Sequence, residues 1–170
     1  ATCTRRCVDA VARFAGRYAD AARASGKIFA SSSLRIVPYY PAYDFFSALQ
    51  SMWFWQFVTS GICGARDFAL GRLDEYLFPY YVNDLHDNLL TKDEAIELLA
   101  MFFLKTNELA GTGTDDYQSK PTPCQATKQY VTLRGDKFNV VTQMIVEAQR
   151  LCGLTQPTLN FRMSKGDSDA

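Results

Sequence analysis

From Phe45 to Val58 the chain carries Phe45, Phe46, Leu49, Met52, Trp53, Phe54, Trp55, Phe57 and Val58. On a helix of about 3.6 residues per turn these positions point almost all the way round, and such a helix has to be buried among other elements. It does not read as a membrane span, because the stretch is too short and Ser47, Gln50, Ser51 and Gln56 interrupt it. Pro41 is placed to open this helix, and Asp44 stands in its first turn, where the helix dipole favours an anion. Gly61 and Gly64 are placed to end it. The rest of the chain must therefore supply packing partners on several sides. Its 170 residues suffice for one domain with a real core, and 48% apolar against 21% charged residues is a globular balance.

Those partners are mostly helical. Cys7, Val8, Val11, Phe14, Ala15, Tyr18 and Ala22 repeat at helical spacing, with Gly26 as a natural stop. A short connection follows, with Ser31-Ser32-Ser33 and Pro38. Gly71 to Pro79 reads as a turn or short helix, and Pro79 as the start of a further helical segment through Leu85. Thr91 to Glu94 is a capping box, and the helix it starts, with Ala95, Leu98, Leu99, Phe102 and Phe103 along one face, runs to about Glu108. Residues 111–127, rich in Gly, Thr, Asp, Ser and Pro, read as a long loop.

The last third changes period. Tyr130 to Leu133 predicts a strand, and Val140, Val141, Met144, Ile145, Ala148 and Leu151 predict a helix closed by Gly153. After Pro157, Leu159, Phe161 and Met163 alternate as a second strand does. Strand, helix, strand is a βαβ unit and implies parallel pairing. Two strands alone do not make a stable parallel sheet. With a start at Ala1 and an end in Gly166 to Ala170 that forms no closing element, the expectation is a segment of something larger. The division reads as helical over 1–110, loop over 111–127 and the beginning of a parallel sheet over 128–170.

Little in the residues points to self-contained chemistry. Eighteen basic and eighteen acidic residues cancel, which gives no electrostatic reason to invoke a nucleic acid or an anionic membrane. Five scattered cysteines, Cys3, Cys7, Cys63, Cys124 and Cys152, with the single His86, make no zinc pattern and point to a reducing compartment. His86 reads as a solvated surface residue. Cys124 has no close cation to activate it and reads as inert. Gly111-Thr112-Gly113-Thr114-Asp115 follows a helix and lacks the lysine of a phosphate loop.

Four stretches together are more specific. Ala42 to Phe54 resembles a helix that glycyl radical enzymes of the pyruvate formate-lyase-like family carry before their substrate loop. Leu70 to Tyr81 resembles that family's Gly-Arg-x-Asp-x-Tyr-x-x-Pro segment, with Asp84-Leu85 after it. Leu90 to Ala95 and Phe102 to Glu108 are similar to its next helix, which ends in a Lys-x-Asn-Glu pattern (Lys105, Asn107, Glu108). Glu147 to Gln149, Pro157 and Phe161-Arg162 resemble the helix and strand that come after. The four are collinear from about Arg17 to Met163.

The resemblance implies part of a ten-stranded α/β barrel, here mostly α with the start of a βαβ unit at the C-terminal side. It implies a parent in which a radical-SAM partner enzyme makes a glycyl radical. That radical passes to a cysteine, whose thiyl abstracts hydrogen from a small-molecule substrate; the parent is expected to be a cytoplasmic, anaerobic homodimer. No further cofactor, metal, nucleic acid or membrane is implied. The thiyl cysteine and the glycyl loop belong to later parts of the family's sequence, so no catalytic residue is assigned here and the chain alone is expected to be inactive. Lined up on Gly71-Arg72, two pocket positions fall on Arg66 and Asp67. Many family members with diol-like substrates carry His-Ser there, and the formate-lyase branch has two small residues. Arg66 is suited to clamp an anionic group by a two-pronged hydrogen bond, and Asp67 to accept from a hydroxyl or ammonium. The competing reading for both is a structural ion pair, with Arg72 or Asp74 as partner. A second departure from the pattern falls at Arg134-Gly135-Asp136, where the family usually has Gly-Gly and a longer acidic turn. The expected activity is that of a lyase or dehydratase cleaving a C–O, C–N or C–S bond. The alternatives are a formate C-acetyltransferase type and a non-catalytic helical module.

Overall fold

The computed structural model describes residues 2–37, 39–63, 68–108, 129–133 and 138–162. Six helices and three strands occupy them: α1 (Thr2–Ala24), α2 (Ile28–Leu34), α3 (Phe45–Gln56), β1 (Phe68–Arg72), α4 (Leu73–His86), α5 (Lys92–Glu108), β2 (Gln129–Leu133), α6 (Val140–Cys152) and β3 (Thr158–Phe161). The strands form one parallel sheet in the order β1-β2-β3. The predicted βαβ unit is present as β2-α6-β3, and its parallel pairing is as the sequence implied.

Several boundaries follow from identifiable local chemistry. α6 starts at Asn139, whose Oδ1 accepts from the Thr142 N–H at 3.0 Å while Thr142 Oγ1 accepts from the Asn139 N–H at 3.2 Å. It stops at Gly153, where φ is 60°. α5 begins after Thr91, and Glu94 reaches back to accept from both the N–H and the hydroxyl of Thr91, at 2.8 and 2.7 Å. Both ends match the sequence signals.

Four features depart from the sequence reading. α3 opens at Asp44 and not at Pro41: the Asp44 carboxylate accepts from the Ser47 N–H at 2.6 Å, and Ser47 Oγ accepts from the Asp44 N–H at 3.0 Å. The Ser31-Ser32-Ser33 connection lies within α2, where Ser31 and Ser33 are buried. Phe68 to Arg72, on the helical side of the predicted division, is a strand, so the sheet has a third member. α4 runs straight through Pro79, whose ring removes a backbone hydrogen bond at a cost of about 3 kcal/mol; burial of Leu73, Leu77 and Tyr81 offsets that cost.

One face of the sheet closes the main core. Val131 and Leu133 of β2 are wholly buried with Leu73 and Leu77 of α4, Leu99 and Phe103 of α5, and Met144 and Ile145 of α6. Phe45 and Leu49 bring α3 into the same cluster. On its far side α3 meets α1 in a smaller cluster, where Phe54 and Val58 pack on Ala15 with Val11, Phe14 and Leu34 around them. Thus the all-round apolar helix is buried between two groups of helices, as its composition required.

Candidate functional site

β2 alternates strictly, with Gln129, Val131 and Leu133 buried and Tyr130 and Thr132 half-exposed on the opposite face. Pairing extends that second face across the sheet. Tyr130 lies beside Thr158 and Ala69, and Thr132 beside Asn160 and Arg72. Hydroxyls, an amide and a guanidinium therefore share the side of the sheet turned away from the core. Arg72 Nη1 lies 2.9 Å from Glu75 Oε2, which holds its head at the sheet's edge. The register shifts between Ala69 and Gly71, and Gly71 has φ of 72°. A Cβ there would come within 3.0 Å of the Tyr76 ring, so only glycine fits this turn from β1 into α4.

The two sequence-predicted pocket residues, Arg66 and Asp67, lie outside the described residues, as do Cys124, Arg134-Gly135-Asp136 and Met163. What precedes them in the chain is defined. After Gln56 the helix widens into a π-helical turn, Phe57–Ile62, with the Cys63 N–H donating to the Val58 carbonyl at 3.0 Å. Thr59 Oγ1 donates to the Trp55 carbonyl at 2.8 Å, a side-chain bond that competes with the ordinary helical ladder. Such turns concentrate at functional sites. Gly61, expected to stop the helix, lies inside this turn.

Sequence reasoning passed over Gln56 as a mere interruption of an apolar run, and did not single out Ser60. Gln56 is wholly buried, yet neither atom of its carboxamide has a hydrogen-bond partner among the described residues, and the buried Ser60 hydroxyl is in the same state. Counting back along α3, Gln56 falls two turns after Leu49 and three after Phe45, the spacing that returns to one helix face. An unpaired buried polar group costs about 1–3 kcal/mol, so this face of α3 carries a deficit just before the chain reaches the predicted pocket loop.

Asp74, Asp84 and Cys152 join separate elements. The buried Asp74 carboxylate accepts from Thr142 Oγ1 at 2.7 Å, and its carbonyl accepts from Asn139 Nδ2 at 3.2 Å, which locks α4 to the start of α6. Asp84 accepts from the Phe45 N–H at 2.8 Å and so ties α4 to the first turn of α3. Burial pushes its carboxyl above the usual range; the Phe45 hydrogen bond opposes that shift, and the charges of Asp44 and Asp87 add to it. Burial likewise raises the Cys152 thiol, which donates to the Ala100 carbonyl at 3.4 Å, an arrangement that suits packing and not nucleophilic attack. His86 is exposed at the end of α4, 2.9 Å from Asp87, as the sequence suggested. Among the described residues no three of His, Cys, Asp and Glu gather closely enough to hold a metal ion, and no helix is long and apolar enough to cross a membrane.

A helical layer over one face of a parallel sheet, with polar side chains on the other face, is an α/β arrangement. The chain belongs to the pyruvate formate lyase-like family, whose model matches residues 2–170. It is similar to a probable dehydratase of Escherichia coli, at 29% identity over 144 residues, covering 79% of this chain and 18% of that protein. It is also similar to an isethionate sulfite-lyase of Bilophila wadsworthia, at 27% identity over 173 aligned residues, covering 91% of this chain and 21% of the other. Among solved structures, a glycyl radical enzyme from Archaeoglobus fulgidus matches with a TM-score of 0.81 at 26% identity, over 93% of this chain and 22% of that one. The chain thus spans about a fifth of the length of the relatives it matches.

Proposed function

We propose that this chain forms part of the wall of the substrate chamber in a glycyl radical lyase or dehydratase that breaks a C–O, C–N or C–S bond. The likeness to a glycyl radical enzyme over 93% of the chain carries this reading. Relatives named as a dehydratase and a sulfite-lyase support the C–O and C–S classes. On this reading the face turned away from the main core, bearing Tyr130, Thr132 and Asn160, looks into a ten-stranded barrel, and Arg66 and Asp67 stand at its substrate.

A protein glycyl radical, installed by a radical-SAM partner and passed to a cysteine elsewhere in the longer enzyme, would supply the hydrogen abstraction. None of the cysteines of this chain is assigned that role, and the chain alone would be inactive. Its own residues bind and orient. Arg66 holds an anionic group of the substrate through two parallel N–H donors, and Asp67 accepts from a hydroxyl or ammonium. A charged pair at these positions takes the room that a formate-lyase substrate needs, which disfavours acyl transfer. A homodimeric, cytoplasmic, anaerobic parent completes the proposal.

The test is Arg66→Ala in the complete reading frame, activated anaerobically. The expected result is a rise in KM of about a hundredfold with an unchanged glycyl radical signal, the loss that follows removal of a buried charge-assisted pair. Unchanged KM and turnover would make Arg66 a structural residue and remove the anion clamp.

A further inference from the structure

The polar face of the sheet is not uniform along its strands. Arg72 is the last residue of β1, Thr132 the last but one of β2, and Asn160 the last but one of β3. Pairing sets these three in one row across the sheet, with Thr132 in the middle. The row lies at the carboxyl ends of all three parallel strands. Parallel α/β sheets bind their ligands at that end.

The polar groups on this face differ in what already occupies them. Arg72 Nη1 is engaged by Glu75 Oε2 at 2.9 Å. One row back, Thr158 Oγ1 accepts from Gln156 Nε2 at 3.3 Å. Thr132 is half-exposed and Asn160 exposed, and neither side chain is hydrogen-bonded to another described residue. Both are open to solvent, side by side on neighbouring strands about 5 Å apart. Tyr130, two residues before Thr132, puts an aromatic ring on the same side of β2.

The two free side chains match a particular group. A threonine hydroxyl both donates and accepts, and a carboxamide carries two donor hydrogens and an acceptor oxygen. A substrate hydroxyl, which also donates and accepts, can bond both at once. A carboxylate or sulfonate only accepts and an ammonium only donates, so each leaves part of the pair unmet. A site built to bond a hydroxyl rejects the analogue that lacks it, because its own polar groups are then left without partners.

We propose that Thr132 and Asn160 together bind one hydroxyl group of a small substrate, which makes them specificity-determining residues. The inference rests on the chamber reading above and adds to it the chemical class of the substrate, a small hydroxylated compound.

The test uses the complete reading frame and two probes that differ by one hydroxyl, 3-hydroxypropionate and propionate. Their common carboxylate cancels in the comparison. Binding is measured by calorimetry on the enzyme before activation. Wild type is expected to bind the hydroxy acid about tenfold more tightly, the gain that one well-placed hydrogen-bonding group supplies. Thr132→Val and Asn160→Leu should each bring that ratio close to one, while Thr132→Ser should keep most of it. A purely structural role would change both affinities alike and leave the ratio standing, which would overturn the inference. Equal binding of the two acids by wild type, or binding of neither, would overturn it too. The chamber reading has its own readout, the glycyl radical signal of wild type after anaerobic activation. A radical together with equal binding removes the hydroxyl site alone, whereas no radical removes the chamber and this site with it.

Discussion

The two sides of α3 are built differently. Toward the sheet, Phe45 and Leu49 join a core drawn from five further elements, closed by Val131, Leu133, Phe103 and Met144, with polar locks at its rim from Asp74 and Asp84. Toward α1, Phe54 and Val58 close over the small Ala15 with Phe14 beside them, and Tyr18 stays half in solvent. The first side fixes strands and helix starts from distant parts of the sequence. The second holds two local helices to the first side and leaves a half-open groove between them. Rigidity and functional polarity should therefore gather at the sheet side, and tolerance to change at the α1 side.

The largest effect should come from core truncation. Phe103→Ala is expected to cost about 3–5 kcal/mol in a urea unfolding curve, whereas Phe54→Ala, whose site is closed by smaller and partly exposed neighbours, should cost at least about 1 kcal/mol less. Equal losses would show that the α1 layer is as integral as the core. Gln56→Met tests the polar deficit on the sheet side. Removing an unpaired buried amide should stabilise the chain by about 1–2 kcal/mol while harming substrate turnover in the complete enzyme, the trade expected of a residue kept for function. Destabilisation would mean that Gln56 is already paired. Asn139→Ala should cost about 1 kcal/mol through loss of the cap, measurable as a Tm decrease of a few degrees.

The smallest effect concerns Asp84. Its folded carboxyl holds a proton more tightly than the unfolded one, chiefly because burial disfavours the charge. The native state therefore binds more protons, and the contribution to stability is full below the unfolded value of 3.8 and declines as pH rises through the raised folded value. Asp84→Asn keeps an acceptor for the Phe45 N–H and should flatten that segment of the Tm-against-pH curve. An unaltered curve would show that Asp84 is solvated enough to titrate normally.

What could be read from the sequence was what neighbours decide. Thr91 with Glu94, and Gly153 after an amphipathic run, name their own helix ends because the bonds span three or four residues. The parallel sense of β2 and β3 followed from the helix between them. β1 was missed because Phe68 to Arg72 has no alternation to announce it and Gly71 reads as a turn; its strand character comes from pairing with Gln129 to Thr132, some sixty residues on. Pro79 misled for the same reason, since what carries α4 past it is burial against remote side chains. The π-turn is invisible to any period of 3.6, and Gln56 in an aromatic run looks like an interruption until burial shows that it lacks partners. Arg66 and Asp67 came from family resemblance alone, as nothing in their local pattern marks a pocket.

The central claim is that this chain is a wall segment of a glycyl radical enzyme. Sequencing the coding DNA through both ends of the segment tests it most directly. The account predicts an open frame that continues into a central cysteine motif and a C-terminal glycine-radical loop. A stop codon directly after Ala170 would contradict it, and would leave a helical binding module without radical chemistry.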